Sequence, residues 1–242
     1  YINRPFDAGI VCRRVFNTVK LYAKQRRLVS LMMAHINERE KNNHMMIDIQ
    51  SHIVEFRNGE SGKHVFHMDK VIQLLLDKIV QKTDKYPSLW QERILIRTAS
   101  ALHDIGKIGI DEAILNKPGR LTAEEFESMK AHTTIGADML RNLPRYQEER
   151  LLQIAIEICR WHHERYDGKG YPDGLVGDEI PISAQLVSIA DVYDALTSER
   201  VYKKAFSHEK AMQMIREGEC GAFNPLLLSC LEEIADELQA EM

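Results

Sequence analysis

Five of the ten histidines lie where they could bind metal ions. His103 and Asp104 directly follow an apolar segment, and His162 and His163 form an adjacent pair at the end of another. Polar groups on core-facing segments need partners, because burying them unpaired is unfavourable. Convergence on a metal ion inside a helical bundle would supply those partners.

Four further positions complete the candidate set. His64 lies four residues after Glu60, so both would share one face of a helix. His132 lies within a predicted helix, and Asp191 interrupts an apolar run. Taken singly, such residues are also explained as hydrogen-bonded core histidines or as surface contacts. Together they favour a metal centre with eight candidate ligands: Glu60, His64, His103, Asp104, His132, His162, His163 and Asp191.

This ligand set indicates a particular chemistry. It holds too many imidazoles for one tetrahedral zinc ion. Mixed nitrogen and oxygen ligands, with Asp104 free to bridge, suit two or three first-row ions such as iron or manganese better than magnesium. Two such ions can activate a water and neutralise the oxygens in a displacement at phosphorus. The cations that could bind the phosphate are Lys107, Arg200 and Lys203, although Arg200 and Lys203 are equally explained as solvated charges at a helix end.

The elements that must position these residues are predicted to be helices. Apolar side chains recur with helical periodicity, and alternating strand patterns are nearly absent, so we expect an all-α fold. The sequence predicts helices near 62–82, 88–105, 122–141, 147–163, 182–198, 207–217 and 225–240.

Local signals support this assignment at several helix ends. Ser88 with Gln91 and Thr122 with Glu125 have the spacing of capping boxes, and Ser207 is a candidate N-cap. Residues 167–181 hold four of the thirteen glycines, which predicts a structured loop or a small hairpin.

The N-terminal segment carries a heptad pattern. Between residues 8 and 36 apolar positions alternate in steps of four and three, which is typical of a helix that packs along another helix. We expect this helix either to form a homodimer with a second copy or to pack on its own domain. The polar run 38–43 and the turn at 57–59 predict a linker and stalk over 1–57 and a catalytic domain over 58–242. The seam consists of Ala8, Cys12, Val15, Val19, Tyr22, Arg26, Val29, Met33 and Ile36, with Arg26 as its polar break.

Composition excludes several classes of protein. The chain has 242 residues, 44% of them hydrophobic, and a net charge of -4. It lacks the run of roughly 20 apolar residues needed by a membrane-spanning helix, and we expect a cytoplasmic protein. Residues 1–41 carry +6 and the remainder -10, so the acidic body argues against an extended nucleic-acid substrate. Because the chain opens on Tyr1, we expect a sensing domain to precede it.

The order and spacing of the motifs closely resemble the HD-GYP branch of the HD-domain phosphohydrolases over roughly residues 58–235. The resemblance implies an all-helical, metal-dependent phosphodiesterase that hydrolyses cyclic di-GMP to linear pGpG or to GMP. Some members prefer 3′,3′-cGAMP. The motifs are His103-Asp104-Ile105-Gly106-Lys107, the stretch from His162 to Pro172, Ala190-Asp191-Val192-Tyr193-Asp194-Ala195-Leu196 and Arg200-Val201-Tyr202-Lys203.

The resemblance also implies roles for individual residues. Seven of the eight candidate ligands would hold two metal ions, with Asp104 bridging, and the eighth, Glu60, would support a third ion. Lys107 would contact the scissile phosphate or the leaving oxygen, and Arg200 with Lys203 would grip the phosphate. The loop of Gly170, Tyr171 and Pro172 would admit substrate or dock GGDEF-domain cyclases.

Three positions depart from the family pattern, and none of them is a predicted ligand. Val201 replaces a common Pro, His67 a common Arg and Asn224 a common Asp. Two alternatives to a cyclic di-GMP phosphodiesterase remain. One is a sensor or docking module without turnover, and the other is a hydrolase that acts on another phosphodiester. Residues 1–6 also resemble the last strand of a receiver domain, which would make the chain the output part of a response regulator.

Overall fold

The computed structural model describes residues 7–57, 63–199 and 204–241. Within these ranges the chain contains helices, turns and one isolated antiparallel bridge between Asp167 and Val176. None of the helices in these ranges is both long and apolar enough to cross a membrane. Residues 1–6, Glu60 and the segment 200–203 lie outside the described residues.

The helices follow one another in a simple order. Short 3₁₀ turns at Ile105–Gly109, Pro144–Tyr146 and Gly177–Glu179 connect some of them. The α-helices are α1 (Ala8–Arg57), α2 (His64–Lys82), α3 (Leu89–Ser100), α4 (Glu112–Leu115), α5 (Ala123–Lys130), α6 (His132–Arg141), α7 (Arg150–Trp161), α8 (Ile182–Thr197), α9 (His208–Arg216), α10 (Pro225–Glu233) and α11 (Ala235–Glu241).

Several predicted helices end earlier or divide in the structure. The predicted helix 88–105 is wrong beyond Ser100, because the chain tightens there into three-residue hydrogen bonds, such as His103 N to Ser100 O at 3.1 Å. The predicted helix 122–141 divides into α5 and α6, and 225–240 divides into α10 and α11. Hydrophobic periodicity alone does not show where these helices end or divide.

The predicted caps differ in outcome. The Thr122 hydroxyl accepts a hydrogen bond from Glu125 N, and the Glu125 carboxylate accepts one from Thr122 N, so this capping box is confirmed. Ser207 also caps its helix, by accepting from Lys210 N. The box at Ser88 is wrong: the Ser88 backbone is already helical and its side chain makes no capping bond. A side-chain cap needs the extended backbone that Thr122 and Ser207 have.

The chain divides into two compact units, Tyr1–Met46 and Ile47–Met242. Helix α1 runs without interruption through the polar segment 38–43. In the first unit the seam residues are exposed, with Val15 at 57%, Tyr22 at 64% and Ile36 at 47%. The division of the sequence into a stalk over 1–57 and a catalytic domain over 58–242 stays a prediction.

In the second unit α8 is the most deeply buried helix, with ten of its 16 residues buried. It packs against α2, α7 and α9. The apolar face of α2 follows the spacing of three and four residues expected of a core-facing helix, and it buries Met68, Ile72, Leu75 and Ile79. This core surrounds the polar residues described next.

Residues at the end of α1 belong to this second unit and bind its backbone. Ser51 donates to the Ala101 carbonyl. The Arg57 guanidinium donates to the carbonyls of Lys107, at 3.2 Å, and of Ile110, at 2.9 Å. The end of α1 is therefore bonded directly to the segment that carries Asp104 and Lys107.

Candidate metal centre

Five described segments bring the predicted ligands together, and four of these segments are helix ends. His64 begins α2, His103 and Asp104 lie in the turn after α3, and His132 begins α6. The pair His162 and His163 directly follows α7, and Asp191 lies within α8. Ligands placed at helix ends are held by the packing of whole helices, so their positions depend on the core.

Two groups of three ligands result. His132, His162 and His163 form the first ligand group, and His64, His103 and Asp191 form the second ligand group. In each group the ligand atoms all lie within 4.8 Å of one another. Three ligands in one such space can hold a single metal ion and leave coordination positions open for water or substrate.

Asp104 lies between the two groups. Its Oδ1 is 3.3 Å from His132 Nε2 and 3.9 Å from His162 Nε2, both in the first group. Its Oδ2 is 3.2 Å from His103 Nε2 in the second. One carboxylate oxygen thus faces each group, which is the arrangement required of a bridging ligand.

Hydrogen bonds at the far side of the rings orient three of the histidines. The Nδ1 atoms of His103, His132 and His162 lie 2.9, 2.8 and 2.9 Å from the carbonyl oxygens of Ser100, Met129 and Ile158. A carbonyl only accepts, so each Nδ1 carries a proton and each Nε2 faces the ligand cluster. Bonds of this kind fix the ring and its tautomer for metal binding.

His64 has a stronger partner of the same kind. Its Nδ1 donates to Asp194 Oδ2 at 2.6 Å, and its Nε2 lies 3.7 Å from Asp191 Oδ1. Asp194 is fully buried and also accepts from His67 Nδ1 at 2.8 Å and from Ser198 Oγ at 2.7 Å. It therefore orients the candidate ligand His64 and belongs to neither ligand group.

Buried atoms without hydrogen bonds test whether metal ions fit this site. Asp104 Oδ1 and His103 Nε2 are buried, and neither has a hydrogen-bond partner among the described residues. Both point at neighbouring ligand atoms at distances of 3.2 to 3.9 Å. Such orphaned atoms are unfavourable unless another group satisfies them. Divalent cations shared between them would do so, and the donor set fits metal binding.

The pKa values of the histidines differ between the two ligand groups. Burial lowers the pKa of His162 to about 3, and it also lowers the pKa of His132 and, strongly, that of His163. These imidazoles are therefore neutral, as metal binding requires. For His103, burial opposes protonation, but the charge of Asp104 prevails and raises the pKa to about 9. Burial likewise opposes ionisation of Asp104, but Lys107 and His103 hold its pKa well below the usual range.

A family model for the HD domain matches residues 27–225 of this chain. The chain belongs to the HD domain family. The all-helical HD bundle behind a long N-terminal helix is confirmed, and so is the resemblance drawn from the motifs.

Known proteins that resemble this HD domain chain are longer. It is 40% identical over 180 residues to a probable cyclic di-GMP phosphodiesterase of Vibrio cholerae, covering 73% of this chain and 41% of that protein. It is 35% identical over 201 residues to the cyclic di-GMP phosphodiesterase response regulator RpfG of Xanthomonas campestris, covering 83% and 50%. A 3′3′-cGAMP-specific phosphodiesterase of Vibrio cholerae is 35% identical over 225 residues, covering 89% and 41%. The chain thus spans about two fifths to half of these relatives.

The fold of the HD domain is also similar to a solved structure. An HDG"Y"P protein from Bdellovibrio bacteriovorus superposes with a TM-score of 0.54 at 18% identity, over 81% of this chain and 64% of that one. At this identity the likeness supports the fold alone.

Lys107 lies at the edge of the ligand cluster. Its Nζ is 2.6 Å from Asp104 Oδ2, and the two residues are three apart in the tight turn after α3. An ammonium here is next to the oxygen that faces the second group. Glu60, Arg200 and Lys203 lie outside the described residues, so their predicted roles remain predictions.

The Gly-Tyr-Pro loop is fixed against the first ligand group. The Tyr171 ring lies 4.9 Å from the His163 ring at an interplanar angle of 31°, and Tyr171 N donates to His163 O. A Cβ on Gly170 would come within 2.3 Å of Arg165 N, so only glycine allows this approach. The predicted structured loop is present, with a single antiparallel bridge in place of a hairpin of strands.

The buried carboxylate of Glu164, next to the histidine pair, binds the backbone that directly follows this loop. It accepts hydrogen bonds from the backbone N–H groups of Asp173, Gly174 and Leu175 at 2.7 to 3.1 Å. Glu164 and Asp194 both lie in motifs of the sequence, but neither was predicted to have a role in the site. The feature that could have indicated a role is that each is a carboxylate close in sequence to predicted ligands.

Two departures from the family pattern have structural explanations. His67 binds Asp194, as described above. Asn224 caps α10 by accepting from Leu226 N at 2.9 Å, while its amide donates to Gln185 Oε1 at 2.8 Å. An aspartate could not make that second bond as a donor. Val201 lies outside the described residues.

Proposed function

We propose that this HD domain is a metal-dependent phosphodiesterase that hydrolyses cyclic di-GMP to pGpG, to GMP or to both. The observation that carries the proposal is the Asp104 carboxylate between two ligand groups, with the Lys107 ammonium beside it. Relatives at 35 to 40% identity that are named cyclic di-GMP phosphodiesterases support the choice of substrate.

Each side chain has a defined part in this reaction. Two divalent ions, when bound, would supply an activated water and would neutralise charge on the phosphate oxygens. The candidate histidines, with the carboxylates of Asp191 and Asp104, would hold the ions. Lys107 binds a phosphate oxygen or the leaving oxygen and stabilises its developing charge. Arg200 and Lys203, outside the described residues, are proposed to grip the remaining phosphate oxygens.

The test is incubation of metal-loaded protein with cyclic di-GMP, followed by chromatography of the products. We expect linear pGpG or GMP from the unaltered chain and a loss of at least about 100-fold with His103→Ala or Asp104→Ala. The matched control is His35→Ala, an exposed histidine of α1, which should keep full activity. Absence of any linear product from the fully loaded protein would refute the proposal.

Two alternatives are decided by companion measurements on the same protein. Calorimetry that shows tight binding of cyclic di-GMP without products would identify a sensor or docking module. Faster hydrolysis of 3′,3′-cGAMP would assign the other substrate, which the similarity to a cGAMP-specific relative makes worth measuring.

We further propose iron or manganese as the metal. Imidazole nitrogens mixed with carboxylate oxygens suit these ions, and the ligand groups hold both kinds of atom. Elemental analysis of protein purified without oxygen should give two ions per chain, or three if Glu60 supports another. Zinc or magnesium in their place would contradict the proposal.

The N-terminal helix is proposed to form a parallel homodimer. Its exposed heptad seam supports pairing with a second copy, and Arg26 is the single charged position, of the kind that selects register. Mild oxidation should then cross-link two copies through Cys12, which is an exposed seam residue. Cys12→Ser should remain dimeric by light scattering without the cross-link, and a monomer at all concentrations would refute the dimer.

The loop of Gly170, Tyr171 and Pro172 is proposed to dock GGDEF-domain cyclases, within a two-component regulator. Its fixed conformation over Glu164 supports this, because a rigid surface loses little entropy on binding. Binding of a purified GGDEF domain should be weakened by Pro172→Ala, and unchanged binding would contradict the docking role.

A further inference from the structure

Two aromatic rings and one ammonium form a surface next to the first ligand group. The Phe126 and Tyr171 rings meet edge to face with centroids 6.4 Å apart. Lys130 Nζ lies 5.4 Å from the centre of one ring and 5.5 Å from the other. We call Phe126, Lys130 and Tyr171 the aromatic shelf.

The shelf is continuous with the metal ligands. Tyr171 stacks beside His163, as described above, and the His163 ring lies 5.1 Å from that of His132. Phe126 and Lys130 are four residues apart on α5, so they share one face, and α6 begins with His132 two residues later. A ligand that reaches the first ligand group therefore lies next to the shelf.

Packing does not explain the position of Phe126. Its side chain is 48% exposed, although phenylalanine is normally buried. The capping box of Thr122 and Glu125 fixes the start of α5, and Lys117 forms an ion pair with Glu125, so the ring is presented on a well-anchored helix. Lys130 is held over the rings by Glu127, whose Oε1 lies 2.6 Å from its Nζ.

We propose that the aromatic shelf binds a guanine base of the substrate, which deepens the proposed function and rests on it. An exposed aromatic face beside a phosphate-binding centre suits a base, since every base offers a flat π-face. Guanine also presents the acceptors O6 and N7, which match an ammonium donor such as Lys130. The shelf thus strengthens the binding of a nucleotide whose phosphate lies at the metal ligands.

The test compares two ligands that share a phosphate and differ in the base. Manganese-loaded full chain is titrated by calorimetry with GMP and with ribose 5-phosphate. We expect GMP to bind at least fivefold more tightly. Base stacking on an aromatic side chain contributes about 1–3 kcal/mol, so Phe126→Ala should weaken GMP binding by about 5- to 150-fold. Ribose 5-phosphate binding should not change.

Further variants separate a local effect from a folding defect. Phe126→Trp should retain GMP binding. Trp90→Ala removes another exposed aromatic ring with a cation over it, at the far end of α3 from His103, and should change neither ligand. Lys130→Gln should weaken GMP alone. If it weakened ribose 5-phosphate equally, Lys130 would bind phosphate and its assigned role would be wrong.

The outcomes distinguish this proposal from the proposed function. Equal affinity of the unaltered protein for GMP and ribose 5-phosphate would overturn the shelf, even if cyclic di-GMP is hydrolysed. Tight, Phe126-dependent binding of GMP by a fully loaded protein that does not hydrolyse cyclic di-GMP would uphold the shelf and refute the phosphodiesterase.

Discussion

Among single residues, one buried carboxylate of the site, Asp194, makes several hydrogen bonds although it is not a predicted ligand. It accepts hydrogen bonds from three side chains: His64, His67 and Ser198. Burial opposes its ionisation, but these donors, His64 first, lower its pKa below the usual value. A carboxylate held charged in this way orients His64 firmly towards the second ligand group.

Asp194→Asn should therefore weaken the binding of one metal ion. The amide turns an N–H group towards one of three donors, and loss of a partner that orients a ligand typically lowers metal affinity 10- to 100-fold. Competition with a chelator measures both binding steps. Ser198→Ala, which leaves the carboxylate in place, should have a smaller effect, and unchanged affinities in Asp194→Asn would contradict the role.

The neutral histidines predict how acid affects the metal-free protein. The pKa of His162 is about 3 in the folded chain and about 6.5 when exposed. Below pH 6.5 the unfolded chain takes up a proton that the folded chain does not. The free energy of unfolding should therefore fall as the pH falls below 6.5, by up to about 1.4 kcal/mol per pH unit from His162. Above pH 6.5 the titration of His162 should not affect the free energy of unfolding.

Denaturant unfolding of chelated protein between pH 4.5 and 7.5 measures this effect. His162→Asn, whose side chain does not titrate, should show a shallower dependence than the unaltered chain. Parallel curves for the two proteins would show that His162 is not held neutral.

At the scale of elements, the turn after α3 can lie against α6 only because of glycine. A Cβ on Gly106 would come within 1.9 Å of His132 O and 2.5 Å of Gly136 N, both backbone atoms that cannot yield without moving α6. This close approach brings Asp104 next to His132. The close packing of the turn against α6 thus explains why a glycine occupies position 106.

Gly106→Ala should accordingly destabilise the protein by about 1–3 kcal/mol or more, since overpacking forces the backbone apart. It should also weaken metal binding by separating the turn from α6. Gly109→Ala is the matched control: its Cβ would meet only the flexible side chain of Ile135, at 3.0 Å. Equal midpoints for the two variants in urea unfolding would contradict this explanation.

At the scale of the whole molecule, the candidate centre joins distant parts of the second unit. Its described ligands extend from His64 to Asp191 along the chain and belong to α2, α6, α8 and the ends of α3 and α7. Bound ions would cross-link these helices and satisfy the buried atoms that lack partners. Metal binding and folding stability are therefore expected to be coupled.

Removal of metal should lower the melting temperature. At a free metal concentration 100 times Kd, each site adds about 2.7 kcal/mol of stability. That corresponds to roughly 5–10 °C for a domain of this size. Differential scanning calorimetry with manganese and with a chelator measures the shift. Asp104→Ala should lose most of it, and an unaltered chain with identical melting temperatures in both conditions would contradict the coupling.

Helix type and most helix positions were predictable, because periodicity and the capping box at Thr122 are local features. The end of α3 at Ser100 and the division between α5 and α6 were not. These breaks serve contacts between residues far apart in sequence, such as Gly106 against Gly136. Tertiary packing overrides local preference at such positions.

Residue types, their order and the long motif from His162 to Pro172 were enough to predict the family and one set of candidate ligands. The packing of the helices was needed to show how those candidate ligands divide into two groups and which oxygen of Asp104 faces each group. It also showed that Asp194 and Glu164 bind neighbouring groups without belonging to either ligand group. The physical reason is that side-chain types are local properties, whereas distances between helix ends depend on the packing of the whole core.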